Sequence, residues 1–218
     1  MQKSVSEICT FFILKKIINI VKIIYRFMKY LKLYESFDEV EIDAICKEYN
    51  IRNYTINPDG SIDVNQIVRI WNKNFYKLPL QFNKVNGVFD CSGNNLKSLE
   101  GAPKELNNWF NCASNKLTSF QYSPKIIRNG GFDCENNDIR TFEYFPSYIG
   151  DVFFCIGNPI YYVWRLFKDW TKIELLNDYD MFRDENTDLP CVVMDRLNDF
   201  LLEIGEEPVE KVYDYKNI

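Results

Sequence analysis

The sequence contains no histidine among its 218 residues. This absence excludes Ser-His and Cys-His nucleophilic sites and most of the zinc sites used by hydrolases. The nine glycines form no glycine-rich phosphate loop after any predicted strand. We therefore expect a protein that is not an enzyme and that holds neither a cofactor nor a metal.

The sequence also lacks a run of 18 uninterrupted apolar residues, so no membrane-spanning helix is predicted. Its net charge of −5 is unevenly distributed, because residues 1–32 carry +6 and the remaining chain carries −11. Phosphate contacts supply most of the non-specific affinity of nucleic-acid-binding proteins, and an acidic body cannot make them. We expect no nucleic-acid partner.

What the sequence does contain is a repeat over Asn86–Ile160. Each unit has a phenylalanine, a cysteine two residues later, an asparagine three residues after that and then further apolar residues. Successive cysteines lie 21, 22 and 21 residues apart. The cysteines are Cys91, Cys112, Cys134 and Cys155, and the asparagines are Asn94, Asn115, Asn137 and Asn158. The first three units also contain Pro103, Pro124 and Pro146 at matching positions.

These units resemble leucine-rich repeats, whose period covers this range. The L-x-L-x-x-N-x-L core appears as Phe89-x-Cys91-x-x-Asn94-x-Leu96. The segment from Leu96 to Lys104 is similar to the L-x-S-L-E-G-x-P-K tail of short repeats in bacteriophage and bacterial proteins. The resemblance implies an α/β repeat solenoid with a leucine-rich-repeat-like parallel β-sheet, and a chain located in the cytoplasm of a bacterial host.

The physics of the unit explains its residue types. In a strand, residues two apart point to the same side, so the phenylalanine and the cysteine both face the core. So short a strand cannot bury that face alone, and neighbouring units must stack. Inward cysteines then form a line along the sheet, which does not match a tetrahedral zinc site. We expect these thiols to be reduced core residues, which favours a reducing compartment.

Four segments are predicted: a basic amphipathic helix over residues 1–33, an N-terminal cap over 34–66, the repeat array over 67–163, and an acidic helical cap over 164–218. Three interpretations of the first helix remain open. It packs on the body or on a partner, it lies on an anionic membrane surface through residues 11–29, or it precedes a natural start at Met28.

The N-terminal cap is predicted to contain a helix over Asp38–Tyr49 and a β-hairpin over Asn53–Val64, with its turn at Asn57–Gly60. We expect the hairpin to cover the open first strand of the array. Residues 66–85 form a divergent first unit, since their apolar positions precede those of the next unit by 21 residues. About five rungs are therefore expected.

Two amphipathic helices are predicted in the C-terminal cap. The first spans Tyr162–Leu176, and the second begins with Pro190 in its first turn and runs through Ile204, with Gly205 closing it. The cap carries fourteen acidic and seven basic residues. This acidity indicates either a solvated surface or a docking surface for a basic partner.

The candidate binding site is the side of the strands opposite the core, which we expect to form a concave surface. Its proposed partner-binding residues are Val88, Asp90, Trp109, Asn111, Asp133, Glu135 and Phe154. An exposed Trp109 among acidic and amide side chains suits a positively charged partner with some apolar area. The last rung, with Val152, Phe154 and Ile156, is apolar, and we expect it to lie under the C-terminal cap.

These features favour a non-enzymatic protein-binding module that acts on a host protein as an inhibitor or adaptor. Three alternatives remain: a structural component of a virion or complex, a protein that sequesters a small ligand, and an undetected hydrolase. The sequence leaves the oligomeric state open.

Overall fold

The computed structural model describes residues 20–22, 39–183 and 189–218. The chain divides into two compact units, Met1–Ile42 and Asp43–Ile218. In the first unit, residues 20–22 are helical and exposed. The rest of the predicted helix over residues 1–33, and with it the choice among its three interpretations, lies outside the described residues. Within those ranges, no helix combines the length and the apolar character that a bilayer crossing requires.

The second unit is built on two sheets between which the chain alternates. The strands of the first sheet are β1 (Tyr54–Ile56), β2 (Ile62–Val64), β4 (Phe82–Val85), β6 (Glu105–Leu106), β8 (Ile126–Ile127) and β10 (Tyr148–Ile149). Those of the second sheet are β3 (Val68–Arg69), β5 (Phe89–Asp90), β7 (Phe110–Asn111), β9 (Phe132–Asp133) and β11 (Phe153–Phe154). The result is an α/β fold with parallel sheets.

The pairing register of the second sheet follows the sequence period. Phe89 pairs with Phe110, Phe110 with Phe132, and Phe132 with Phe153, always in parallel. Val68 pairs with Phe89, which confirms that residues 66–85 contribute the first of five strands. Residues one period apart are therefore neighbours in space, and each column of the sequence repeat becomes a row across the sheet.

The phenylalanine column forms a continuous row of rings in the core. Ring centroids lie 5.8 Å apart for Phe89 and Phe110, 5.3 Å for Phe110 and Phe132, and 5.6 Å for Phe132 and Phe153. The first three of these side chains are fully buried. Aromatic pairs at such separations add favourable contacts to the burial of their area, so the stacking of units rests on this row.

The asparagine column ties each unit to the one before it. The Asn115 side chain donates from Nδ2 to the carbonyl oxygens of Cys91 and Cys112, both at 3.1 Å. Its Oδ1 accepts from the backbone N–H of Leu96 at 3.0 Å. Asn115 is almost fully buried, so it satisfies three backbone groups where water cannot reach them.

The same arrangement recurs at the other asparagines of the column. Asn137 and Asn158 each donate to two cysteine carbonyls and accept one backbone N–H of the preceding unit. Asn94 likewise donates to the carbonyls of Ile70 and Cys91. One period before Asn94 stands Lys73, which is exposed. The first repeat therefore lacks the asparagine that would bond to an earlier repeat.

The N-terminal helix and hairpin form as predicted, but the hairpin does not cover the first strand of the array. Helix α1 spans Glu39–Glu48, and β1 and β2 pair in antiparallel fashion as the predicted hairpin. In the turn, Gly60 has a positive φ of 79° and donates its N–H to the carbonyl of Asn57. Strand β2 pairs in parallel with β4, so the hairpin covers the edge of the first sheet, whereas β3 lies at the edge of the second.

The first helix of the C-terminal region was predicted to be continuous, and this prediction is wrong. It is interrupted into α2 (Tyr161–Phe167), a 3₁₀ turn (Trp170–Lys172) and α3 (Ile173–Asp178). The break occurs because Lys168 adopts a left-handed conformation with φ of 52°, and the Asp169 side chain then caps the 3₁₀ turn by accepting from the N–H of Thr171.

The second predicted helix starts later than expected. Helix α4 spans Met194–Glu203, and Pro190 does not lie in its first turn. Residues between them form β13 (Cys191–Val192), which pairs with β12 (Phe182–Arg183) and β14 (Lys216–Asn217) in a small third sheet that the sequence analysis missed. Gly205 closes α4 as predicted, with φ of 83° and its N–H donated to the Leu202 carbonyl.

Removing the buried amide of Asn115 should destabilise the protein strongly. In Asn115→Ala, the buried Leu96 N–H loses its hydrogen-bond partner and the Cys91 and Cys112 carbonyls each lose one of two side-chain donors, so we expect the free energy of unfolding to fall by roughly 2–4 kcal/mol. Urea denaturation followed by circular dichroism measures this change. Asn107→Ala is the matched control, because Asn107 donates to Asn86 in an exposed row and its loss should cost under about 0.5 kcal/mol. Equal losses in both variants would contradict the structural role of the buried row.

The described cysteines should be unreactive in the folded protein. All six are buried, and burial raises the pKa of the Cys46 thiol to about 11 and those of Cys112 and Cys134 well above the ordinary value. In a Cys9→Ser background at mildly alkaline pH, a thiol-reactive dye should label no cysteine of the native protein and all six after unfolding. Ser98→Cys, at an exposed position, provides the positive control; rapid native labelling without it would refute the core assignment.

Candidate functional site

The candidate site is the outer face of the second sheet, which consists of three rows that alternate with the inward phenylalanines and cysteines. The first row holds Val88, Trp109, Gly131 and Val152; the second holds Asp90, Asn111, Asp133 and Phe154; the third holds Ser92, Ala113, Glu135 and Ile156. All seven residues predicted to bind a partner lie in these rows. The parallel register of the strands brings them together on one surface.

The polar side chains of the second row have a structural role of their own. The Oδ1 atoms of Asp90, Asn111 and Asp133 each accept the backbone N–H two residues later, at 3.0 Å in every case. Asp90 also accepts from the Ser92 hydroxyl at 2.6 Å. Such side-chain-to-backbone bonds hold the chain as it leaves a strand. Asp and Asn are interchangeable in this role, since it requires only one acceptor oxygen.

The outer face carries negative charges that the hydrogen bonds to the backbone do not require. Burial raises the pKa of Asp133, and the Asp90 carboxylate raises it further. Burial and then Asp133 raise the pKa of Glu135 in the same way. Within the described parts of the chain, none of these three carboxylates forms an ion pair. The face therefore carries negative charge that the second unit leaves uncompensated.

Trp109 is half-buried rather than exposed as expected. Its ring lies against Gly131, where an added Cβ would stand 2.7 Å from the indole ring and 2.7 Å from the Val152 carbonyl. It continues toward Phe154, two strands away, with ring centroids 6.1 Å apart. The absence of a side chain at Gly131 is what lets the indole lie down across the sheet. The sequence carried that signal in the glycine of the same row.

The last strand's apolar residues are exposed, contrary to the prediction that the C-terminal cap covers them. Val152, Phe154 and Ile156 are 39%, 42% and 53% exposed. The cap instead packs on the inward side of the same strand, where the rings of Phe153 and Trp164 are 5.0 Å apart. It covers the open end of the core because the inward phenylalanines have more area to bury.

Together these residues form an apolar patch of Trp109, Val152, Phe154 and Ile156 beside the carboxylates of Asp133 and Glu135. Neither carboxylate has a nucleophile or a basic side chain among its hydrogen-bond partners in the described structure. No group of three metal-binding side chains occurs in the described residues. The arrangement places exposed apolar area directly beside negative charge.

Comparison with protein-family models, with curated proteins and with solved structures finds no match for this chain.

Replacing the partly buried carboxylate of Asp133 by a neutral amide should stabilise the protein at neutral pH. Because the folded state raises the pKa of Asp133, its charged form is disfavoured, and this cost is present above the folded pKa. Asp133→Asn keeps the acceptor oxygen, as Asn111 does, and should raise the free energy of unfolding by roughly 0.3–1 kcal/mol at neutral pH. The gain should vanish as pH falls through the folded pKa toward the ordinary Asp value of about 4.

The control for this pH dependence is Asp59→Asn, which should act in the opposite direction. Hydrogen bonds from the Ser61 hydroxyl and backbone N–H lower the pKa of Asp59, so its charged form is favoured in the folded state. Its replacement should destabilise at neutral pH, and less so in acid. Thermal denaturation of both variants across this pH range measures the two differences. A gain for Asp133→Asn that is independent of pH would contradict the electrostatic explanation.

Proposed function

We propose that the second unit is a short leucine-rich-repeat solenoid of five rungs, with the hairpin as N-terminal cap and the helical region after residue 160 as C-terminal cap. The five parallel strands in period register and the buried asparagine row support this proposal. Both features are expected when repeats of this length stack along one axis.

The proposed function is the binding of a protein partner through the outer face of the second sheet. The observation that carries it is the apolar patch around Phe154 beside the unpaired carboxylates of Asp133 and Glu135. Exposed aromatic and aliphatic side chains with a charged rim are typical of protein interfaces. The partner should therefore present a basic residue next to an apolar one.

The repeat resemblance extends this proposal to origin and role. A bacteriophage-type chain that works in a bacterial cytoplasm would capture a host protein, either to inhibit it or to link it to another factor. The free buried thiols of the described cysteines are compatible with such a reducing compartment. A structural role in a virion is the rival, and it predicts that the chain is found in purified particles.

The proposal is tested by affinity capture from a bacterial lysate with the tagged protein and a face variant. Phe154→Ala combined with Glu135→Lys removes the centre of the apolar patch and reverses one charge, and both side chains are solvent-accessible enough to change without loss of the core. We expect a stoichiometric partner with the unaltered protein, and at least a tenfold weaker affinity for that partner with the variant, measured by titration calorimetry.

Tyr76→Ala is the matched control, because Tyr76 is 72% exposed and lies outside the outer face. Its affinity for the captured partner should equal that of the unaltered protein. A partner that binds all three proteins equally would exclude the outer face. An absence of any captured protein, together with a thermal shift by a metabolite, would favour the sequestration of a small ligand instead.

A further inference from the structure

The first strand of the second sheet, β3, has a neighbour on one side only. On that side three N–H groups donate at 2.8–3.0 Å to carbonyls of the next repeat: those of Val68, Ile70 and Asn72. Alternate residues of a strand bond to opposite sides. The backbone groups of Ile67, Arg69 and Trp71 therefore point to the side without a strand, and among the described residues they form no hydrogen bond. We call these three residues the β3 edge.

Arg69 interrupts a row whose polar members hold the backbone in the next three strands. Asp90, Asn111 and Asp133 each accept the N–H two residues later. An arginine side chain has no acceptor. The Trp71 N–H consequently lacks the bond that its equivalents form. The β3 edge thus leaves available a backbone donor that the other repeats use internally.

The outer side chains of the β3 edge alternate between apolar and basic. Ile67 and Trp71 are 42% and 48% exposed, and Arg69 between them is exposed as well. The Asp90 carboxylate on the neighbouring strand accepts from Ser92, and no ion pair joins it to Arg69 in the described structure. Cross-strand pairs of opposite charge and of apolar side chains are favourable. An added strand should therefore carry an acidic residue between two apolar ones.

The charges around the edge agree with an acidic occupant. Residues 66–73 contain two basic side chains, Arg69 and Lys73, and no carboxylate. Arg52 is exposed in the loop after α1. The carboxylates on the flanking elements are those of Glu48, at the end of α1, and Asp90, which is bonded to its own strand. The side of β3 where a further strand would lie is thus net basic.

A second copy of the chain suits this edge poorly. Antiparallel pairing of two β3 edges forms the most backbone bonds when Arg69 of one copy lies opposite Arg69 of the other. Like charges directly opposite each other are unfavourable. The charge at the centre of the edge therefore favours a different chain.

We propose that the β3 edge binds an extended acidic segment of a partner protein as a sixth strand of the second sheet. Main-chain bonds to the edge supply affinity, and alternate side chains supply specificity. A carboxylate of the segment pairs with the Arg69 guanidinium, and apolar residues two positions before and after it pack on Ile67 and Trp71. This pattern reads the same in both directions, so parallel and antiparallel segments satisfy it equally.

Two capped, fluorescently labelled heptapeptides test this proposal by anisotropy titration with the full chain. Both read serine-valine-serine-X-serine-valine-serine, where X is glutamate in one and lysine in the other. Serine suits the inner positions, because Val68 and Ile70 are already fully buried. We expect saturable binding of the glutamate peptide and at least about tenfold weaker binding of the lysine peptide.

Two substitutions at the centre of the edge test charge and backbone separately. Arg69→Glu should reverse the preference, so that the lysine peptide binds at least about tenfold more tightly than the glutamate peptide. Arg69→Pro should bind neither peptide yet fold, since proline is tolerated at an edge where its missing N–H is not part of the ladder. In the unaltered protein, the peptide should slow hydrogen exchange of the Arg69 and Trp71 amides. The Ile70 amide, already bonded to β5, should exchange slowly with or without peptide.

Two controls separate the β3 edge from non-specific charge and from the outer face. Arg165→Glu makes the same charge change at an exposed residue of α2 and should bind the glutamate peptide as the unaltered protein does. So should Phe154→Ala/Glu135→Lys, because Phe154 lies four strands from β3. This variant distinguishes failure at the edge from failure of the proposed outer-face function.

Three results would overturn the assignment of the β3 edge to an acidic partner. The first is no saturable binding of the glutamate peptide up to millimolar concentration. The second is equal binding of the two peptides by the unaltered protein. The third is self-association in sedimentation that Arg69→Pro abolishes, which would assign the edge to a second copy.

Discussion

The structure of the second unit depends on the buried asparagine row. Each of these amides bonds to a carbonyl of its own repeat and to groups of the repeat before it, so a repeat cannot satisfy its own backbone alone. In a buried environment an unpaired backbone group is costly, which makes the match between neighbours stringent. Stability therefore accumulates between units rather than within them, and the ends of the array require separate protection.

The same bonding fixes what each row across the sheet can contain. Residues of one row stack on their own equivalents, so like charges on adjacent strands would repel. The second row avoids this conflict by placing the neutral Asn111 between Asp90 and Asp133, and all three keep the same bond to the backbone. In the first row, the indole ring of Trp109 occupies the space that a side chain at position 131 would need, so the residue there is glycine. The residue types allowed in each row thus determine both the charge and the surface shape of the outer face.

The sequence period predicts much of this architecture, because a repeat in sequence implies a repeat in space. It predicts the strands at Phe89, Phe110, Phe132 and Phe153, their inward cysteines and the first repeat at Val68. It also places the candidate residues on one face. It does not predict that Val85, Leu106, Ile127 and Ile149 end strands of a separate sheet, since strands of two to four residues leave no clear alternating pattern.

Outside the repeat the sequence is a weaker guide, because no neighbouring unit restricts the choice. Apolar residues after Ile160 fit a continuous helix, yet a left-handed Lys168 interrupts it. The strand at Cys191–Val192 depends on partners eight to ten and twenty-five residues away, which local patterns cannot reveal. The exposure of Phe154 depends on which side of the last strand the cap covers. That choice is made by the area of the inward rings rather than by any local signal.

A repeat architecture also explains how one small unit presents two surfaces of different chemistry. Each segment of about 21 residues contributes to the outer face and to the turns that lead into the first sheet at different positions of its sequence. Substitutions at one position leave the asparagine bonds and the phenylalanine row intact, so the two surfaces can diverge independently. Carboxylates collect in the rows of Asp90 and Ser92, whereas Lys104 and Lys125 lie one period apart near the turns that lead into the first sheet. The position of a residue within the repeat thus decides which surface its charge belongs to.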